Sequence, residues 1–429
     1  MNDTNTLPSL LTRNASRWPH RPAWRHKHLG IWETQSWAAF ARRCHDIARG
    51  LEANGFGHGD RLAVLGDNRP DLYAVLLAAH SLGGVGVPCD PDTDSSRLPE
   101  ILKDARVSIA IADTVDQADR IVSVAAALPS PVRVLCVDTG SFNRQEMWEK
   151  SSLDALIEEG RGHGRCADGP PPLADLSGEA DQGWGEGGLP KKSIGASSPL
   201  PTPLSQAEGK YSNAAPQDLA LLLYSADAQS HPLLLSHAQL ITAGERIADA
   251  DPAYATDEAF CYLPMSCYED TLYSLTLGLL CGFAGNCPEA PDTVLRDLRE
   301  IGPTILFAPA VTCNALAQVV TSKAVAVTGF KRRSFRFFQH LALHAEACRE
   351  QDQVVPVGVA IGCRIGELMA YAPVRDQLGL RRARWVHTDG RLPPDTGRLL
   401  RALGVALRPA NVCATVLGPA RETPETLHA

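Results

Sequence analysis

From residue 32 to 137 the chain alternates between stretches with apolar residues at helical spacing and short apolar runs bounded by turn residues. The clearest helical stretch runs from 37 to 51, and strands are predicted at 62–65, 85–87, 107–111 and 132–137. Such alternation predicts an α/β fold with a mostly parallel sheet covered by helices. Between 160 and 218 the periodicity stops and Gly, Pro and Ser dominate, which predicts a disordered insertion. A second α/β unit opens at 219 and continues through 297–300, 304–307 and a helical stretch from 328 to 351. The expected organisation is an α/β unit over 1–159, the insertion over 160–218, and a second, truncated α/β unit over 219–429. The apolar runs at 72–87 and 272–284 contain Gly, His, Ser or Cys and fall short of the roughly 18 to 20 residues of a membrane span, so no transmembrane segment is expected.

Composition narrows the function. A net charge of -8 with 44% hydrophobic residues offers no global basicity to attract nucleic acid. The first residues lack a basic region followed by an apolar core, so a cytoplasmic location is expected. Twelve cysteines occur with no Cys-x-x-Cys pair, which predicts reduced core thiols rather than a zinc ribbon or disulfide framework. His340 and His344 share a helical face but make no metal site by themselves. The clusters Lys331-Arg332-Arg333 and Arg381, Arg382 and Arg384 read as exposed faces of amphipathic segments. No metal ligand set is expected.

Candidate chemistry concentrates at 221–241, LLLYSADAQSHPLLLSHAQLI. An apolar strand runs into Tyr224, a polar turn follows, and Ser236-His237 opens a helix. The frame resembles the phosphate-binding loop of the adenylate-forming superfamily of acyl-CoA synthetases, where a Gly/Ser/Thr-rich loop ends in Pro, Lys and Gly before Leu-Ser-His. Residues 31–91 resemble the same superfamily's N-terminal block. Residues 263–309, beginning LPMSCYED, are similar to the central part of long-chain fatty acyl-CoA synthetases, and 371–407 to the stretch leading to their Tyr-Gly-x-Thr-Glu motif.

The resemblance implies the N-terminal large domain of the adenylate-forming fold, two mostly parallel sheets with covering helices. It also implies a two-step reaction using ATP, magnesium and coenzyme A, in which a fatty acid becomes an acyl-adenylate and then a thioester. The residues that such chemistry needs are largely replaced. The family's loop glycines fall on Asp227 and Ser230, its hydroxyls survive only at Ser225, and its Lys is Leu233. A carboxylate about 4 Å from a phosphate charge costs on the order of 4 kcal/mol at an effective dielectric of roughly 20, or about a thousandfold in affinity. The adenine and magnesium motif falls on Asn411, Val412, Cys413, Ala414 and Thr415; a one-residue slip keeps Thr415 but puts Val416 at the Glu. Of the family's Gly-Gly-Ala-Pro turn only Gly390 matches. At the acyl pocket the family's aromatic or His is Cys267, and the Arg, aromatic and Glu near 309 are Val311, Cys313 and Asn314.

The sequence ends shortly after these positions, so the family's ribose-binding Asp, hinge and C-terminal lid domain are expected to be missing. The expectation is a catalytically inactive scaffold or pseudoenzyme. An active fatty acid-CoA ligase with a rebuilt site, and a regulatory module that pairs with an intact synthetase through the truncation edge, are the alternatives. A fatty acid or acyl-adenylate is the expected ligand if the pocket survives.

Overall fold

The computed structural model of the protein describes residues 5–94, 96–138, 151–167, 214–224, 231–326, 329–390 and 392–410. Its strands in chain order are β1 (Pro22–His28), β2 (Ile31–Ser36), β3 (Arg61–Leu65), β4 (Val85–Cys89), β5 (Ile109–Thr114), β6 (Arg133–Asp138), β7 (Leu219–Leu223), β8 (Leu233–Ser236), β9 (Glu258–Phe260), β10 (Ala284–Cys287), β11 (Ile305–Phe307), β12 (Trp385–Thr388) and β13 (Leu407–Pro409). They form two mostly parallel sheets of six and seven strands among the described residues, ordered β6-β5-β3-β4-β7-β8 and β13-β12-β11-β9-β10-β1-β2. Only the β7–β8 and β1–β2 pairs are antiparallel among the described residues.

The apolar runs at 62–65 and 85–87 are buried on both faces, as parallel strands covered by helices must be: every residue of β4 is buried, and all but the first of β3. The helix Pro70–Ser81 explains why. Its residues from Leu72 to Ser81 are all buried, and it packs against β3 and β4 of one sheet and β1 of the other. A helix apolar on every side belongs between layers. Gly86 of β4 permits the close approach: a Cβ there would stand 2.6 Å from a Leu76 methyl and 2.9 Å from one of Leu221.

Two elements lie across the expected boundaries. The helix Leu153–Ala167 runs eight residues into the segment expected to begin the insertion at 160, and 168–213 lie outside the described residues. The expected division at 219 does not follow the sheets either. β7 and β8 complete the sheet of β3 to β6, while β1 and β2 pair with the strands that follow residue 258. The expected helix over 328–351 is found as Gly329–Glu350, preceded by a separate one over Ala310–Ala326. One further apolar stretch lies outside those runs. Val357–Gln377 is helical, and by length and composition alone is apolar enough to cross a membrane, with 17% of its most apolar window buried.

Candidate functional site

In open α/β sheets ligands sit beyond the carboxyl ends of the strands, where the connections diverge. Here β4 and β7 lie side by side with Gly86 opposite Leu221, and β7 turns back into β8 with Leu223 opposite Leu233. A cavity of about 730 Å³ opens at that end. Ser225, Asp227 and Ser230, in the turn between β7 and β8, lie outside the described residues, as do Asn411 and Thr415.

Carboxylates line this cavity. Asp90, Asp92 and Asp94 follow directly on β4, and Glu269 approaches from the segment after Met265. The acidic loop is held in place: the Asp92 amide donates to the Asp90 carboxylate at 2.8 Å, and Arg120 donates to the Pro91 carbonyl at 2.6 Å. Its field reaches Asp67, whose carboxyl is pushed above the usual range by burial first, then by Asp113, Asp92 and Asp90. Arg97 and His231 are the basic side chains on the lining.

Tyr224 and Cys267 both reach the cavity, each occupied with local structure. The Tyr224 phenol donates to the Asp104 carboxylate at 2.7 Å, and burial, followed by Asp104, raises its pKa. The Cys267 thiol is pushed up to about 12 by burial, then by Glu269, Asp270 and Asp90, so it stays protonated and is no nucleophile. Leu233, at the family's Lys position, is half-buried against the core.

Next to Cys267, Asp270 is almost sealed from water, at 2% exposure. It accepts from Asn68 at 3.0 Å, from the Tyr73 hydroxyl at 2.8 Å and from the Ser274 hydroxyl at 2.7 Å. Burial pushes its carboxyl up to about 7 against those three donors. Glu269 also borders a second, apolar cavity among Phe260, Tyr262, Tyr273, Phe307 and Trp385. Its volume of about 10 Å³ matches a single water molecule.

Gly390 follows β12 in the other sheet and does not line the acidic cavity. A Cβ there would meet nothing within 4 Å, and its backbone is not in the left-handed region, so local structure does not require glycine. Val311 is exposed, Cys313 is buried, and Asn314 accepts from the Thr396 hydroxyl at 2.7 Å.

At the frame's far end Ser236 caps the helix His237–Ala250, accepting from the Gln239 amide at 3.3 Å while Gln239 accepts from the Ser236 amide at 2.9 Å. His237 accepts from the Leu7 amide at 3.4 Å and meets His80 edge to face at 5.2 Å. Burial lowers both imidazoles, to about 4 for His237 and about 3 for His80. Neutral and packed, they join the helix Leu7–Arg17 to the sheet at Ala220.

The sequence pattern of AMP-binding enzymes matches residues 11–385, most of the chain. The chain belongs to the AMP-binding enzyme family. Among curated AMP-binding relatives, feruloyl-CoA synthase from Amycolatopsis is 32% identical over 137 residues, which is 32% of this chain and 26% of that protein. Phenyloxazoline synthase from a Mycobacterium species is 33% identical over 84 residues, 20% of this chain and 7% of that protein. The chain thus spans about a quarter or less of the length of these relatives. A long-chain-fatty-acid-CoA ligase from Archaeoglobus fulgidus superposes with a TM-score of 0.61 at 13% identity, covering 94% of this chain and 62% of the ligase. An anthranilate CoA ligase solved with anthranoyl-AMP gives 0.61 at 14%, covering 95% and 60%. At such identities the likeness establishes the adenylate-forming fold, with its two sheets.

The family frame therefore brings Tyr224 and Cys267 to one cavity and leaves Gly390 elsewhere. It gave no notice of Asp90, Asp92 and Asp94. Their signal was present: three alternating carboxylates directly after an apolar strand, where α/β sheets keep their ligands.

Proposed function

We propose that this AMP-binding family member is a scaffold that has lost adenylate formation. The observation that carries the reading is that Asp90, Asp92, Asp94 and Glu269 line the cavity at the ends of β4 and β7. A nucleotide triphosphate brings several negative charges to that place, and each carboxylate within a few ångströms opposes it by about 1 kcal/mol or more. The degenerate positions Ser225, Asp227 and Ser230 in the loop, and Asn411 and Thr415 in the adenine motif, supply no compensating cation. Leu233 stands where the family's Lys would meet the phosphates. The residues do not fit ATP. A magnesium ion finds no group of three or more His, Cys, Asp or Glu arranged to hold it among the described residues.

Fatty-acid handling, the finer expectation, finds Cys267 on the acidic cavity, where carboxylates oppose the head of a fatty acid. The apolar cavity bordered by Glu269, Tyr273, Phe307 and Trp385 holds only about 10 Å³, too little for an acyl chain. Pairing with an intact synthetase through β13 is the weaker reading, because the three-residue edge strand ends in Pro409, a feature that blunts strand addition.

The test is magnesium-dependent pyrophosphate release from ATP with a panel of fatty and aromatic acids, alongside thermal unfolding with a non-hydrolysable acyl-adenylate analogue. The reading expects no release above a no-enzyme control and no shift of a cooperative transition. Release with any acid, or a stabilised transition, establishes a working rebuilt site instead.

A further inference from the structure

We propose that the helical hairpin formed by Gly329–Glu350 and Val357–Gly366, continued to Tyr371, docks on a lipid surface carrying anionic headgroups. The proposal is independent of the nucleotide crevice. The sequence VGVAIGCRIGELMAY divides its faces by spacing. Gly362 and Gly366, one turn apart, face the partner helix: a Cβ on Gly362 would stand 2.6 Å from Leu341, and one on Gly366 2.9 Å from Phe338. The Tyr371 hydroxyl donates to the Phe338 carbonyl at 2.6 Å and locks the pair. Aliphatic residues at i, i+4, i+8 and i+11 then fall on the outward face.

These residues are Val357, Ile361, Ile365 and Leu368, joined by Met369 and, from the neighbouring helix, Phe337. Val357 is 75% exposed and Leu368 81%. Single exposed apolar residues are ordinary, but a contiguous stripe on a surface helix marks an interaction site. Charge then selects the partner. Arg333, Arg336 and Arg364 stand exposed on the same two helices, and none is in an ion pair among the described residues. The acid of the segment, Glu367, is engaged by Arg375. An aliphatic stripe flanked by arginines, with its acid neutralised, is the pattern of a helix lying in the headgroup plane. The outward side chains are exposed and, Phe337 apart, aliphatic, which suits acyl chains that move aside. A protein hot spot would need a pocket and anchoring aromatics.

The experiment is sedimentation of the full chain with vesicles of phosphatidylcholine, with and without phosphatidylserine. Phosphatidylserine vesicles are expected to carry the protein down, and added salt to release it. Replacing Ile361→Gln and Leu368→Gln together should lower the partition coefficient by more than about tenfold. Arg333→Gln or Arg364→Gln should each lower it about fivefold. All four side chains are exposed, so thermal unfolding should not move, and an unchanged transition separates lost docking from lost folding. Wild-type protein that stays in the supernatant with both vesicles overturns the proposal, as does equal sedimentation of the double variant. So does a dimer in light scattering that the double variant converts to monomer, because a second copy would then cover the face.

Discussion

The Tyr273 hydroxyl lies 2.7 Å from Nδ1 of His387, whose Nε2 lies 2.8 Å from the Asp251 carboxylate. His387 is 1% exposed, and burial lowers its pKa to about 4, so at neutral pH the ring carries one proton. A carboxylate accepts only, so that proton sits on Nε2 and donates to Asp251, and Nδ1 accepts from Tyr273. The relay ties β12 to the helical turn at 271–276 and to Asp251, which ends the helix His237–Ala250. Replacing Tyr273→Phe should strand Nδ1 without a donor and cost about 1–3 kcal/mol in chemical denaturation. A double-mutant cycle with His387→Ala should show most of that loss as coupling. Additive losses would mean that the bond is not made.

Three buried imidazoles set the response to acid. His80, His237 and His387 have folded pKa values of about 3, 4 and 4, lowered by burial, against about 6.5 when exposed. A depressed pKa means that the unfolded chain takes up protons the folded chain refuses. Their contribution is therefore complete above about pH 6.5 and is lost as pH falls towards 4. Asp270 opposes them, since its raised value of about 7 makes the folded state the better proton binder between the unfolded value and neutrality. His26, lowered to about 4 by burial, adds to the imidazoles, while Asp67 and Asp113, raised by burial, side with Asp270, so four imidazoles stand against three carboxyls. Between pH 6.5 and 4.5 stability should fall, by about 1.4 kcal/mol per pH unit for each net proton. Urea denaturation across that range checks the sign, and Asp270→Asn should steepen the fall.

Much of the architecture was legible because burial on both faces writes itself as an uninterrupted apolar run. Residues 62–65 and 85–87 are such runs, and both are strands of one sheet. β1, PAWRHKH, is also central, but its polar residues hide it: Lys27 is a core residue only because an ion pair buries it. Pattern reports what an element is and not which sheet it joins, so the crossing of β1 and β2 to the later strands was invisible. At the site, the frame of 221–241 located Tyr224 but could not say that Asp104 holds its phenol. That contact spans 120 residues and depends on the sheet order.

Lys27 gives a measure of that hidden core. Its ammonium, 3% exposed, lies 2.8 Å from Asp297, which is fully buried, and also binds Glu300. Removing one partner of a buried pair leaves the other charge without compensation, at about 3–5 kcal/mol. Lys27→Ala should cost that much in equilibrium unfolding. Lys27→Met keeps the volume and should lose nearly as much, because the buried Asp297 would keep only its bonds from the Glu289 amide and Thr293 hydroxyl and the more distant, exposed Arg296. A Met variant close to wild type would mean that packing, not charge, is what Lys27 supplies.

The acidic cavity makes the sharpest prediction about function. If Asp90, Asp92 and Asp94 exclude polyphosphates by their field, removing charge should admit them even though the loop's glycines and Lys are still absent. Neutralising all three to Asn should strengthen ATP binding by at least about tenfold, since each carboxylate contributes about 1 kcal/mol or more at close range. The gain should shrink as salt is raised, because exposed charges are screened beyond about 10 Å at 0.1 M. Isothermal titration of ATP into both proteins at two salt concentrations reads this directly. Adding Leu233→Lys should give a further gain, since Leu233 lines the same cavity and the new ammonium would no longer be neutralised there by the three carboxylates. ATP affinity that stays unmeasurable in the neutralised variant would move the cause of exclusion from the cavity's charge to the lost backbone cradle of the loop.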